Sequence, residues 1–318
     1  MHNTVNAFVG LGQLDRAVPV AQAMVDQGQG DQIAHIVLHL DAITEGRWDD
    51  IFYLLENGRG VGPLVDGIAQ GWAHLGQGDM RRAIGSFDQV IETSGMTIYG
   101  VTHKAYALAS VGDFEGAQAI FETARESGMR YSRQSAVAHA QILSQLDNVF
   151  GRQLDPGIAA LRDNLTAGEA VPYDAVRTPA QGIADLYLTI AGLLRDDAPD
   201  AVTLVYARAS THLWPENTAA ILRTAALLDI LCQYALANAA YSTITQDDPS
   251  FHAAELGRAE ALRAAGRKDA AVEVLEALTR SHPELPEGYA TKGDTLRQAE
   301  RYDDAHAAYS RALELYAE

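Results

Sequence analysis

The sequence has little of what many functional classes require. Its single cysteine, Cys232, excludes a disulfide within the chain. Acidic residues outnumber basic ones by 42 to 24, and the formal net charge of −18, with no cluster of Lys and Arg, argues against nucleic-acid binding. No run of about 18 apolar residues occurs, and the first residues lack the charged and apolar regions of a signal peptide. We therefore expect a soluble chain that does not insert into a membrane.

Aromatic residues are also scarce. They make up 7% of the chain, whereas hydrophobic residues make up 47%, and the excess is Ala and Leu, which favour helices and let them approach closely. A length of 318 residues exceeds one ordinary core, so we expect either two or three domains or a linear array of small units. The composition favours the array and predicts an all-α fold.

Several residue types recur every 34 positions. Pro215, Pro249 and Pro283 keep this interval, and each follows an amphipathic stretch that a proline would end. The other positions with this interval are Ala225, Ala259 and Gly293, then Ala237, Ala271 and Ala305, then Tyr241, Leu275 and Tyr309, and, nearer the N-terminus, Gly12 and Gly46, Gly78 and Gly112, Ala83 and Ala117, Phe87 and Phe121. A small residue followed one turn later by a large one predicts helix pairs that pack against their neighbours.

These positions resemble the tetratricopeptide repeat, a helix-turn-helix unit of 34 residues. The unit that ends the chain has its aromatic, glycine, alanine and second aromatic residues at Tyr289, Gly293, Ala305 and Tyr309, but Lys292 stands where leucine is usual. The resemblance implies a right-handed α-solenoid of about nine antiparallel helix pairs. After a truncated first unit, the units are predicted to start near residues 32, 64, 98, 132, 184, 218, 252 and 286.

The period breaks between residues 132 and 183. A stretched turn at 148–156 and a second helix at 156–167 are expected there, and prolines at 172 and 179 push the preceding residues towards extended backbone. We therefore predict an N-terminal stack over 1–167, an extended linker over 168–181, and a C-terminal stack over 182–318.

The order of motifs, with residues 178–184 followed by 206–209, is similar to that of long bacterial tetratricopeptide proteins, which are usually exported. The first unit lacks most of its first helix, and no polar capping helix ends the array. Both features predict a piece of a longer array, in the bacterial periplasm if the whole protein is exported and in the cytoplasm otherwise. The alternative is that partners or dimerisation cover the uncapped ends.

Motifs for chemistry are sparse. No phosphate-binding loop occurs, and Gly58–Gly62 follows a helix rather than a strand, which favours a loop between repeats. His35 and His39 have metal-ligand spacing but no third ligand nearby, so we expect an exposed or groove-facing pair. Cys232 falls in a repeat turn, where a small buried residue is expected rather than a nucleophile. We predict no catalysis, no metal and no cofactor.

The resemblance also implies that the first helices of successive units line a groove that binds peptides. The predicted groove residues are Val65, Ile68, Trp72, Leu75, Tyr99, Thr102, Tyr106 and Arg133. Such aromatic side chains either anchor a partner or belong to the core if the linker folds into the groove, and both alternatives stay open. No lysine projects onto this face, which argues against a clamp for a partner's terminal carboxylate.

The main hypothesis is therefore a scaffold for protein–protein interaction. Self-assembly of the chain into homo-oligomers through its uncapped ends is the alternative, and an enzyme without a recognisable motif is the weaker one.

Overall fold

The computed structural model describes residues 1–130, 132–145, 171–195 and 197–317, and every regular element in these ranges is an α-helix. The helices are α1 (His2–Gly10), α2 (Leu14–Asp26), α3 (Gln32–Thr44), α4 (Trp48–Glu56), α5 (Pro63–Gly76), α6 (Met80–Glu92), α7 (Thr97–Ser110), α8 (Phe114–Glu126), α9 (Arg133–Gln145), α10 (Pro179–Leu193), α11 (Asp200–Leu213), α12 (Thr218–Ile230), α13 (Tyr234–Tyr241), α14 (Phe251–Ala264), α15 (Lys268–Ser281), α16 (Pro286–Gln298) and α17 (Tyr302–Ala317). The predicted all-α repeat solenoid is confirmed. The helix and turn expected at 148–167 lie outside the described residues.

The chain divides into two compact units. The N-terminal unit comprises Met1–Leu193 and Arg208–Pro215, and the C-terminal unit comprises Leu194–Ala207 and the residues from Glu216 onward. The stacks predicted at 1–167 and 182–318 were defined by repeat phase, and that division stays a prediction. In space, α10 belongs with the N-terminal helices because it packs against α5 and α7.

The turn inside each helix pair explains the recurring glycines. In the described pairs other than α10 and α11, three residues separate the two helices, and the middle one has a left-handed backbone, as at Gly78 (φ +78°) and Gly266 (φ +78°). Its amide bonds back to the helix that ends, from Gly78 N to the Leu75 carbonyl at 2.8 Å, and the next amide bonds to the His74 carbonyl at 2.9 Å. Glycine adopts this conformation without a steric penalty, which is why it recurs at this place.

Two turns use other residues at the same place. Cys232 has φ +58° and Glu300 has φ +60°, and both keep the backbone hydrogen bonds of the glycine turns. Cys232 is exposed, which corrects the expectation of a small buried residue, because the middle residue of this turn points away from both helices.

The alternation of small and large residues is also visible in the packing. A Cβ built on Gly71 would overlap the ring of Phe87, and one built on Gly293 would lie 2.6 Å from the ring of Tyr309. Phe87 is fully buried. The small residue of the first helix therefore makes room for the ring of the second helix of the same pair.

The left-handed turns predict that Glu300→Gly stabilises the chain. A non-glycine residue in this conformation costs about 1 kcal/mol, so relief of the strain, less the entropy that glycine loses on folding, should raise the free energy of unfolding by about 0.5–1 kcal/mol. Urea unfolding followed by circular dichroism measures this. The matched control, Ala299→Gly at φ −85°, has no strain to relieve and should lower stability. Equal effects of the two substitutions would contradict the account.

Candidate binding groove

Helix α10 lies on the inner face of α5 and α7, where the groove was predicted. The approach is close because residue 182 has no side chain: a Cβ built on Gly182 would overlap the indole of Trp72. Residues 182–187 of α10 are all buried, and Trp72 is fully buried beneath them. The groove of the N-terminal unit is thus filled by the chain's own helix.

Beneath α10, a line of polar and aromatic side chains joins three helices. Trp72 Nε1 of α5 donates a hydrogen bond to His103 Nδ1 of α7 at 3.2 Å. The His103 ring meets Tyr106 edge to face at 5.8 Å, and the Tyr106 hydroxyl donates to Ser135 Oγ of α9 at 3.2 Å. Burial lowers the pKa of His103 to about 3, so this histidine is neutral and its Nδ1 accepts the hydrogen bond from the indole N–H. The line fixes the rings that form the floor of the groove.

A segment without regular secondary structure, residues 171–177, precedes α10 and lies along α9. Three glutamines of α9, spaced by seven and four residues and hence on one helix face, hold its backbone. The bonds run from Gln145 Nε2 to the Val171 carbonyl (2.6 Å), from Asp174 N (3.2 Å) and Ala175 N (3.0 Å) to Gln141 Oε1, and from Gln134 Nε2 to the Ala175 carbonyl (3.1 Å). Because these hydrogen bonds are made to backbone atoms, they can hold an extended peptide with many different side chains.

Side chains add a second set of contacts to this segment. Ala175 and Val176 are buried, and the ring of Tyr173 packs against Phe114 at 6.0 Å. Gln141 also donates to the Asp174 carboxylate at 2.5 Å. These contacts favour small and aliphatic residues at 175 and 176.

One buried carboxyl group lies in this interface. Asp185 of α10 is 5% exposed, and burial raises its pKa to about 7. The phenols of Tyr106 and Tyr173 lie near enough that the Asp185 charge contributes to raising their pKa, after burial. A carboxyl in such a place is costly to ionise, so α10 is held less favourably above pH 7 than an apolar helix would be.

The end of α11 contacts the first helices of the N-terminal unit. The partly buried Arg208 guanidinium donates to the Gly10 carbonyl at 3.0 and 3.1 Å, where α1 ends, and His212 lies 3.1 Å from the Thr44 hydroxyl at the end of α3. A cation at a helix C-terminus satisfies carbonyls that have no partner in the helix. Residues 208–213 therefore fasten to the first repeats of the N-terminal unit.

The predicted groove residues do not share one environment. Val65, Ile68, Trp72 and Tyr106 are buried, while Leu75, Tyr99 and Thr102 are partly buried. Arg133 begins α9, and its side chain lies outside the described part of the chain. In the structure the buried rings contact other parts of the same chain. That they contact a partner stays a prediction, and such contact would require α10 to leave the groove.

Sequence reasoning missed the glutamines. The predicted groove residue on α9 was Arg133, one residue before Gln134. The predicted inner face of α9 therefore lay next to the face that holds residues 171–177, and did not include the glutamines. The spacing of Gln134, Gln141 and Gln145 was a usable signal, since three carboxamides on one helix face suit backbone recognition.

The histidine pair has a structural partner. His39 Nε2 donates to the Arg59 carbonyl at 3.1 Å, and His35 Nδ1 to the Gly60 carbonyl at 2.9 Å, so both hold the loop over 58–62. His39 is fully buried, which corrects the expectation of an exposed or groove-facing pair. Among the described residues, no group of three or more His, Cys, Asp or Glu side chains is placed to hold a metal ion. Nor does the described part of the chain contain a helix long and apolar enough to cross a membrane.

The inner face of the C-terminal unit is polar. The Tyr309 hydroxyl donates to Asp294 Oδ1 at 2.7 Å, and Arg297 is exposed beside them. One repeat earlier, Glu260 is exposed. In the repeat before that, burial raises the pKa of Asp229 to about 6. This face carries both signs of charge.

Comparison with known families identifies the repeats in the C-terminal unit. A family model described as tetratricopeptide repeat matches residues 233–286, and a second model of the same description matches 286–318. No curated protein matches the chain.

The solved structures that match this chain share little sequence with it. A MamA RS-1 ArsTM double mutant is 13% identical over 68% of this chain and 93% of its own, with a TM-score of 0.35. MamA AMB-1 is 14% identical over 68% of this chain and 96% of its own, with a TM-score of 0.36. The P58(IPK) TPR domain is 14% identical over 98% of this chain and 90% of its own, with a TM-score of 0.23. Similarities of this size carry no inference about binding.

The buried Asp185 predicts a particular dependence of stability on pH. Its pKa is about 7 in the folded chain against an ordinary value of 3.8, so between these values the folded state binds more protons and stability falls as pH rises. Asp185→Asn should therefore match the wild type near pH 4 and exceed its free energy of unfolding at pH 8, by on the order of 2 kcal/mol.

His103 acts in the opposite sense. The pKa of His103 is about 3 in the folded chain and 6.5 in the unfolded chain. Stability therefore falls as pH falls below 6.5, in the variant and the wild type alike. Urea unfolding at a series of pH values isolates the Asp185 contribution as the difference between the two proteins. The exposed Asp26→Asn serves as control. Parallel profiles for wild type and Asp185→Asn would show that the carboxyl ionises freely in the folded chain.

Proposed function

The chain carries tetratricopeptide repeats, and from this premise we propose that it is a protein-interaction scaffold that holds an extended segment of a partner protein on the inner face of its N-terminal helices. Repeats of this family generally serve protein interaction and are generally non-catalytic, which supports the coarse function. The finer assignment places the partner near the predicted residues Trp72, Tyr99 and Tyr106.

The observation that carries the proposal is the set of glutamine contacts on α9. Gln141 Oε1 accepts two consecutive backbone amides, and Gln145 and Gln134 donate to carbonyls on either side of them. In a helical protein few sets of side chains form hydrogen bonds with the backbone of another segment, since the amides and carbonyls of helices are already bonded to one another. A partner segment with extended geometry would meet the same donors and acceptors.

The floor of the groove supplies the apolar part of such an interface. Trp72 and Tyr106 are held by hydrogen bonds to His103 and Ser135, so their rings are pre-organised and lose little freedom on binding. Aromatic side chains in this situation provide most of the energy in peptide interfaces.

Site-specific crosslinking tests the proposal. A photoreactive amino acid in place of the exposed Gln145 should crosslink to a partner protein in cells that make this chain, because position 145 borders the groove. The control position is Gln118 on α8, which is partly exposed, bonds only to Glu122 among the contacts described, and should give no such product. Mass spectrometry identifies the crosslinked peptide. Crosslinks from position 145 that stay within the chain under all conditions, or partner crosslinks equally frequent from position 118, would contradict the proposal.

A further inference from the structure

The groove is occupied by two different structures in series. Residues 171–177 have no regular secondary structure and are held through their backbone by glutamines of α9, and α10 follows as a helix against α5 and α7. Such a segment, irregular and then helical, has the form of a bound ligand, although it belongs to the same chain. It shows which chemistry the groove accepts.

Sequence requirements within the segment are few. The backbone contacts from α9 would accept most residues, whereas Gly182 admits no larger residue while the Trp72 indole keeps its place. Ala175 and Val176 are buried, so those positions need small or aliphatic side chains. The groove thus specifies a short pattern of small and aliphatic residues ahead of a helix that presents a glycine.

Helix α10 is also not an optimal occupant. Asp185 is 5% exposed and lies on the buried part of α10, close to the phenols of Tyr106 and Tyr173. Burying a carboxyl costs free energy that an apolar residue at the same place would not cost. An occupant that lacks this group would bind the groove more favourably per contact.

We propose that residues 171–193 are an internal stand-in for a partner, and that a partner segment with the same pattern binds the groove by replacing them. This inference rests on the proposed function and adds its regulation and the chemistry of the partner. The segment has an extended stretch with small or aliphatic residues at the places of Ala175 and Val176, then a helix with glycine over Trp72. The internal copy competes at the high effective concentration of a tethered ligand, so a partner binds only where it outcompetes that copy.

A variant that ejects the internal segment tests this in the full chain. Gly182→Leu places a side chain where the Trp72 indole lies and should free the groove. The probe is a fluorescent synthetic peptide of residues 171–193, followed by anisotropy. The variant should bind the peptide at least about tenfold more tightly than the wild type, because the competitor in the same chain is gone. A peptide that itself carries Gly182→Leu should not bind.

The matched control is Gly192→Leu, in the same helix. No atom lies within 4 Å of a Cβ built at Gly192, so this variant should bind the peptide as weakly as the wild type. A milder variant, Gly182→Ala, should give an intermediate gain. Circular dichroism checks that each variant keeps its helices.

Three results would overturn the inference. These are equal peptide affinity of Gly182→Leu and wild type, equal binding of the two peptides, and loss of the folded state in both Gly182 variants, which would make α10 a part of the core that cannot be replaced. If any of these occurs while position 145 still crosslinks to a partner, the proposed function stands without its regulation. If both experiments fail, neither stands.

Discussion

The N-terminal unit depends on one close approach, that of α10 to Trp72. The approach is available because Gly182 has no side chain, and it buries the indole under a helix of the same chain. The hydrogen bond from Trp72 to His103 orients the ring beneath that helix. A face that in an open array would be a solvent-exposed groove is therefore the interior of this unit, and any function assigned to the groove has to account for its occupant.

The repeats create this face through simple local rules. A left-handed residue in each three-residue turn reverses the chain, and a small residue such as Gly71 admits the ring of the paired helix. Repetition of this unit places the first helices of successive pairs side by side, as α5 and α7 are. Their inner residues then need a partner. Residues 171–193 provide one within the chain, and the glutamines of α9 hold residues 171–177 of that segment.

Much of this architecture was readable from the sequence. The 34-residue interval of glycines, alanines and prolines predicted the helix pairs, and the same phase put Trp72 and Tyr106 on the inner face. What covers that face was not readable. Periodicity assigned residues 182–193 to the next repeat, because local spacing tells which side of a helix faces inward but not which distant segment meets it. The role of Gln141 was missed for a related reason, since the face of α9 that binds differs by one residue from the projected one.

The most direct test of the account is hydrogen exchange in the full-length chain, followed residue by residue by mass spectrometry. If α10 covers Trp72 in the free protein, the amides of residues 183–191 should exchange far more slowly than those of an unprotected peptide, and no more slowly than those of α5, since α10 can leave the groove while α5 stays folded. Exchange of these amides at the rate of an unprotected peptide, with α5 still protected, would contradict the claim that the chain fills its own groove.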